Sequence, residues 1–210
     1  VSTAGKYWIQ VRNESGCINT DTCVVVIAPD PEPGFFVAPH CVGDSAFFND
    51  TSKVSVGTIS YFWDFGDPFS KEDTSSLKTP KFVYTKFGTY PARVTVTSTR
   101  GCAKSISRSV VILPTPNARF AATDTCADSS IVFVNNSTVT GGAGITYWWG
   151  FGDGDTSILT QPNHSFSKDS TYNVQLVATS KGCTDTTYRT VEIYPNPVAK
   201  FVFSNSCPGS

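Results

Sequence analysis

Short runs of alternating apolar and polar residues follow one another along the whole chain. Residues 90–96 read Tyr-Pro-Ala-Arg-Val-Thr-Val, and residues 172–177 read Tyr-Asn-Val-Gln-Leu-Val. Alternation with a period of two predicts strands that bury one face, and the Gly, Asn, Asp and Ser residues between the runs predict turns. No window has the i, i+3, i+4, i+7 spacing and the capping residues of an amphipathic helix. The pattern therefore predicts an all-β chain.

The same pattern occurs twice. Residues 61–68 read Tyr-Phe-Trp-Asp-Phe-Gly-Asp-Pro, and residues 147–154 read Tyr-Trp-Trp-Gly-Phe-Gly-Asp-Gly. A cysteine precedes each copy at Cys41 and Cys126, and a Gly-Cys pair follows each at Cys102 and Cys183. The steps are 85 residues between the early cysteines and 81 between the late ones. A repeat of this length is a small domain rather than one unit of a solenoid.

The landmarks divide the chain into four segments. Residues 29–113 (the first repeat) and residues 114–194 (the second repeat) are complete, and about seven short strands in each predict an antiparallel immunoglobulin-like β-sandwich. Residues 1–28 repeat only the closing strands, so we interpret them as the end of a preceding repeat. Residues 195–210 resemble the opening of a following one. Proline pairs at the junctions predict short, extended linkers and sandwiches arranged end to end.

The alternation also predicts which aromatic side chains are buried. It places Trp63 and Phe65 on one face of a strand, and Trp149 and Phe151 on the matching face in the second repeat. So many aromatic residues on one face belong in a core between two sheets.

By the same alternation, Phe62 and Trp148 point outward. An exposed tryptophan is a candidate contact for a sugar or a protein partner. The alternative is that a loop, a neighbouring repeat or the residues beside it on the strand cover the ring.

Each repeat has one early and one late cysteine, which predicts the disulfides Cys41–Cys102 and Cys126–Cys183 and an oxidising compartment. Buried free thiols are the alternative. Cys17 and Cys207 should lack partners in this chain. Cys17 and Cys23 should not pair if they share a strand, because six residues of strand span about 20 Å, against a Cα–Cα limit of about 7 Å.

Little in the sequence points to other chemistry. The net charge of −1 offers no basic surface for nucleic acid, no apolar run is long enough to span a bilayer, and no catalytic motif is present, so we expect a non-enzyme without a cofactor. Asp153 and Asp155 flank a glycine in a candidate calcium-binding turn, although two carboxylates are few for an ion that takes six to eight oxygens. His164 is predicted to be a packed, hydrogen-bonded imidazole.

The segment Trp-Asp-Phe-Gly-Asp at 63–67 resembles the signature of the polycystic-kidney-disease (PKD) domain, an immunoglobulin-like sandwich of extracellular proteins. The spacing of Gly88 and Tyr90 fits the same family, and Tyr172 occupies the matching place in the second repeat. The second repeat departs from the signature at Gly150, where the family favours Asp.

Together with the closing Gly-Cys pairs, the motif is similar to the large surface proteins of Bacteroidota, including gliding-motility adhesins. That resemblance implies spacer and adhesive modules of a long extracellular or cell-surface protein. Its partners would be neighbouring repeats and surface polysaccharide or other cell-surface proteins. The alternative is accessory carbohydrate- or protein-binding modules of a secreted hydrolase.

Overall fold

The computed structural model describes residues 4–27 and 29–202, and within them every regular element is a β-strand. The predicted all-β fold is therefore confirmed. The chain divides into two compact units, Val1–Ile112 and Leu113–Ser210. Within the described residues, no helix has the length and apolar character needed to cross a membrane.

A two-stranded hairpin opens the described chain. Strands β1 (Gly5–Arg12) and β2 (Ile18–Val25) pair antiparallel over their full lengths. Gly16 adopts a φ of 85° in the turn, which favours glycine. Cys17 and Cys23 are both free thiols, so the expectation that they do not pair with each other is confirmed. That the hairpin closes a preceding repeat stays a prediction.

The first repeat contains nine strands in two layers. They are β3 (Phe35–Phe36), β4 (His40–Cys41), β5 (Ser45–Phe47), β6 (Asn49–Asp50), β7 (Ile59–Asp64), β8 (Thr74–Ser75), β9 (Lys81–Val83), β10 (Gly88–Ser98) and β11 (Ala103–Leu113). One layer is the five-stranded sheet β4-β11-β10-β7-β8. The other consists of the pairs β3–β6 and β5–β9.

The second repeat has the same strand order. Its strands are β12 (Phe120–Ala121), β13 (Thr125–Cys126), β14 (Ser130–Val132), β15 (Val134–Asn135), β16 (Thr146–Gly150), β17 (Thr156–Ser157), β18 (Asn163–Ser165), β19 (Ser170–Ser180) and β20 (Cys183–Tyr194). The five-stranded sheet is β13-β20-β19-β16-β17, with β12–β15 and β14–β18 as the other layer. Residues 195–202 carry no strand, and Cys207 lies outside the described residues.

An aromatic core fills the space between the two layers of each repeat. Trp63 is 0% exposed, and its ring lies edge-on to Phe35 at 5.2 Å between centroids. Trp149, also 0% exposed, meets Phe120 in the same way at 5.1 Å. The pleat of the strands thus directs both tryptophans inward, on the face that the alternation indicates.

Candidate functional site

The signature of the first repeat is engaged in holding its own turn. Trp63 Nε1 donates a hydrogen bond to the carbonyl oxygen of Leu77 at 2.8 Å. Asp64 Oδ1 accepts from the backbone N–H of Gly66 at 2.9 Å, which is the turn-stabilising role expected of Asp64. Asp67 is buried, and its Oδ1 accepts from the N–H of Phe69 at 3.0 Å. These side chains build the fold and present no reactive group.

The two predicted core tyrosines hydrogen-bond to the turns that precede the long strands β10 and β19. Tyr90 Oη donates to the carbonyl oxygen of Lys86 at 2.7 Å, and Tyr172 Oη donates to that of Lys168 at 3.1 Å. Each bond reaches back four residues, the pattern of a tyrosine corner in immunoglobulin-like sandwiches. Burial, followed by the negative charge of Asp67, raises the pKa of Tyr90, which further favours the protonated phenol that donates this hydrogen bond.

His164 and Asp153, for which the sequence predicts separate roles, form one hydrogen-bonded pair. Nε2 of His164 lies 2.6 Å from Oδ2 of Asp153. The imidazole also stacks on the ring of Phe151, with 4.0 Å between centroids and 8° between planes. The structure therefore shows the packed, hydrogen-bonded histidine that the sequence predicts.

Asp155 completes a cluster in which one ligand atom from each of Asp153, Asp155 and His164 lies within 4.8 Å of the others. Calcium prefers oxygen ligands, whereas an imidazole suits zinc, copper or nickel. An ion bound through His164 Nε2 would have to replace its hydrogen bond to Asp153. The His164–Asp153 pair and the turn that Asp153 stabilises are sufficient structural roles for these side chains. Calcium at Asp153 and Asp155 stays a prediction.

The pair has a consequence for acid stability. Burial raises the pKa of Asp153, but the hydrogen bonds from His164 and from the Asp155 N–H, together with the His164 charge, outweigh burial and lower it. A lowered folded-state pKa stabilises the fold above the unfolded value of about 3.9. That contribution is lost as the pH falls through the folded-state value.

We therefore expect Asp153→Asn to flatten the pH dependence of the free energy of unfolding of the second repeat below about pH 4. Urea unfolding at a series of pH values measures this dependence. Asp155→Asn removes the neighbouring carboxylate and keeps the pair, so it is the matched control. Equal slopes for wild type and Asp153→Asn would show that the pair contributes nothing.

The outward aromatic residues differ between the repeats. Phe62 is 56% exposed and Trp148 is 41% exposed. At Gly150, an added Cβ would lie 2.8 Å from Cη2 and 3.2 Å from Cζ3 of Trp148. The indole therefore lies along its own strand, over the glycine. In the first repeat, Asp64 occupies the place of Gly150.

The cysteine pairing predicted from the sequence is wrong. Cys102 and Cys126 are free thiols, whereas Cys41 and Cys183 are disulfide-bonded. In the second repeat, Cys126 lies opposite Tyr194 at the end of β20, and Cys183 is the first residue of that strand. Eleven residues of strand separate these two positions by about 36 Å, so a bond limited to about 7 Å between Cα atoms cannot join them.

Differential alkylation should reproduce this state. With iodoacetamide under denaturing, non-reducing conditions, we expect modification of Cys102 and Cys126, and modification of Cys41 and Cys183 only after reduction. Peptide mass mapping reads the result. The matched variant is Cys102→Ser, which should leave Cys41 protected. A Cys41–Cys102 bond would instead make Cys41 reactive in that variant.

Tyr188 is a surface residue that belongs to none of the sequence motifs described above. It lies on β20 opposite Gln175 of β19, which in turn lies opposite Gly150 of β16. Its side chain is 58% exposed. The alternation along β20 predicts that Tyr188 points outward, because Val191 and Ile193 are the inward, buried positions. Which residues lie beside it on the neighbouring strands can be known only from the strand register.

The two units are tandem immunoglobulin-like β-sandwiches that share one aromatic signature. The family described as PKD domain matches residues 28–114 and again residues 113–193. The chain belongs to the PKD domain family. PKD domains are non-catalytic modules, and relatives of this chain occur in enzymes.

Three of the proteins that this chain resembles come from Vibrio species. A microbial collagenase of Vibrio alginolyticus is 42% identical over 66 residues, which are 30% of this chain and 8% of the collagenase. The PKD1 domain of the Vibrio cholerae metalloprotease PrtV is 30% identical, with a TM-score of 0.35 over 40% of this chain and 98% of that domain. The PKD1 domain of Vibrio anguillarum Epp is 28% identical, with a TM-score of 0.36 over 39% of this chain and 96% of that domain.

Proposed function

We propose that this chain is a tandem of non-catalytic binding modules from an extracellular protein. The observation that carries the proposal is the PKD match across both repeats. The structural role of the signature side chains supports it, because Trp63 and Asp64 form hydrogen bonds with backbone groups of their own repeat. The disulfide state of Cys41 and Cys183 supports an oxidising, extracellular or cell-surface location.

The relatives favour an accessory role next to a catalytic domain. Both the 42% identical collagenase segment and the 30% identical PrtV domain come from proteins named as proteases. A module of this kind would hold a secreted hydrolase on its substrate, which raises the local substrate concentration without contributing to the chemistry.

A different observation favours a spacer and adhesive role. The hairpin β1–β2 is followed by two repeats that each close with a hairpin of the same kind, β10–β11 and β19–β20, and a Gly-Cys pair lies at the turn of each. A run of at least three such hairpins fits a long repetitive cell-surface protein of the Bacteroidota adhesin type. Its partners would be neighbouring repeats and surface polysaccharide or proteins.

The parent polypeptide distinguishes the two roles. An antibody raised against the 210-residue chain detects the parent on a denaturing gel, and refolding in a gel that contains gelatin or a polysaccharide reports hydrolysis by the same band. A band of hydrolase size that clears the gel supports the accessory module. A very large, inactive band that surface biotinylation labels supports the adhesive spacer. An inactive intracellular band would overturn the extracellular proposal.

A further inference from the structure

The outer face of the five-stranded sheet in the second repeat carries two exposed aromatic rings in one row. Gly150, Gln175 and Tyr188 lie directly opposite one another on β16, β19 and β20. Directly paired residues of antiparallel strands point to the same face. Since the Trp148 indole lies over Gly150, its ring belongs to the row that ends in Tyr188.

The spacing of this row suits a narrow, extended ligand. β16 and β20 are two strand spacings apart, which places Gly150, under the Trp148 ring, roughly 10 Å from the backbone of Tyr188. Gln175 lies between them and offers both a hydrogen-bond donor and an acceptor. Its backbone neighbours Val174 and Leu176 are buried, so the amide side chain is on the same outer face as the rings.

The residues around the rings are uncharged. The next row on this face consists of Trp148, Val177 and Thr186, and the row beyond it of Thr146, Thr179 and Thr184. Hydroxyl and amide groups beside flat rings match a neutral polyol, whose C–H faces are attracted to the negative face of an aromatic ring and whose hydroxyls need hydrogen-bond partners.

The patch is also too small for a stable protein interface. Even two fully exposed aromatic side chains would provide only roughly 300–500 Å², whereas a stable protein complex buries about 800 Å² on each partner. A polysaccharide chain needs only the width of one row. The small area and the lack of charge therefore both favour a neutral polysaccharide as the ligand.

The first repeat shows what the face is like without these features. Asp64 fills the place of Gly150 and lies opposite Arg93, which donates to Ser105 Oγ at 2.7 Å. Ser107, opposite Arg93, takes the place of Tyr188. This row has two charged side chains and no second ring, so Phe62 has no aromatic partner across the sheet.

We propose that this outer face of the second repeat binds a neutral, extended polysaccharide, with Trp148 and Tyr188 stacking on its sugar rings and Gln175 hydrogen-bonding between them. Gly150 is a positioning residue, because only a residue without a Cβ lets the Trp148 ring lie along the strand. The proposal deepens the proposed function, since it names the chemistry of the target that the non-catalytic module binds.

The test uses the full 210-residue chain in native gels that contain hydroxyethyl cellulose, xylan, laminarin or glycol chitin, with gelatin and heparin gels as the other arms. At least one neutral polysaccharide should retard the chain. Trp148→Ala and Tyr188→Ala should each weaken that retardation about tenfold or more, as expected for central aromatic contacts. Gly150→Asp should weaken it as well, whereas Phe62→Ala should not.

Tyr188→Ala keeps the assay decisive if the Trp148 variant folds poorly, because Tyr188 lies exposed on the sheet surface. Near-UV circular dichroism verifies each fold. Retardation by no neutral polysaccharide overturns the proposal, as does retardation that survives both aromatic substitutions. Trp148-dependent retardation in gelatin alone assigns the face to a protein and also overturns it, while the proposed binding function stands.

Discussion

Trp149→Ala should lower the free energy of unfolding of the second repeat by about 3–5 kcal/mol. The indole is fully buried, packs against Phe120 and Phe133, and donates its N–H to the carbonyl oxygen of Leu159 at 2.9 Å. Truncation leaves a cavity between the two layers and an unpaired carbonyl. Since a domain is stable by only about 5–15 kcal/mol, this change removes a large part of the total.

Hydrogen-exchange mass spectrometry locates the loss. Peptides of β19 and β20 should exchange faster in the variant, and peptides of β10 in the first repeat serve as the internal reference. The matched control is Trp148→Ala, which removes an indole that is 41% exposed and should cost below about 1 kcal/mol. A larger loss from Trp148→Ala than from Trp149→Ala would mean that the facing of β16 is reversed.

Gly66→Ala should destabilise the first repeat by about 2–5 kcal/mol. Gly66 has a φ of 68°, where any other L-residue pays about 1–2 kcal/mol. An added Cβ would also lie 2.8 Å from the carbonyl oxygen and 3.0 Å from the carbonyl carbon of Pro91. Backbone atoms of a paired strand cannot move aside cheaply, so overpacking adds about 1–3 kcal/mol. Urea unfolding followed by near-UV circular dichroism measures the loss.

Gly43→Ala separates the two contributions. Gly43 has a φ of 88°, but no atom would lie within 4 Å of its added Cβ. It should therefore lose only the conformational part, about 1–2 kcal/mol. Equal losses at Gly66 and Gly43 would show that the close approach to Pro91 has no energetic weight.

The sequence alone predicts those features of the structure that depend on short-range periodicity. Alternation with a period of two gives the inward direction of Trp63 and Trp149 and the outward direction of Phe62 and Trp148, because the side chains of a strand alternate by geometry. The short-range pattern around Tyr90 and Tyr172 likewise identified residues whose hydroxyls bond only four positions upstream.

The sequence alone does not predict those features that depend on the pairing of strands far apart in the chain. The even placement of the cysteines predicts one disulfide within each repeat. However, β13 joins the sheet beside the far end of β20, and this parallel contact cannot be read from local pattern. The contact of His164 with Asp153 depends on how β18 lies beside the motif turn. The row of Trp148 and Tyr188 depends on register across three strands.

We expect this chain to bind a target without transforming it, and binding and turnover can be measured together in one pull-down experiment. The 210-residue chain is incubated with insoluble cellulose, chitin, xylan and gelatin, and the pelleted protein and the soluble sugar or peptide products are measured in the same tubes. We expect the chain to pellet with at least one of these targets and to release no soluble product. Release of product above a no-protein control, or failure to pellet with any target, would contradict it.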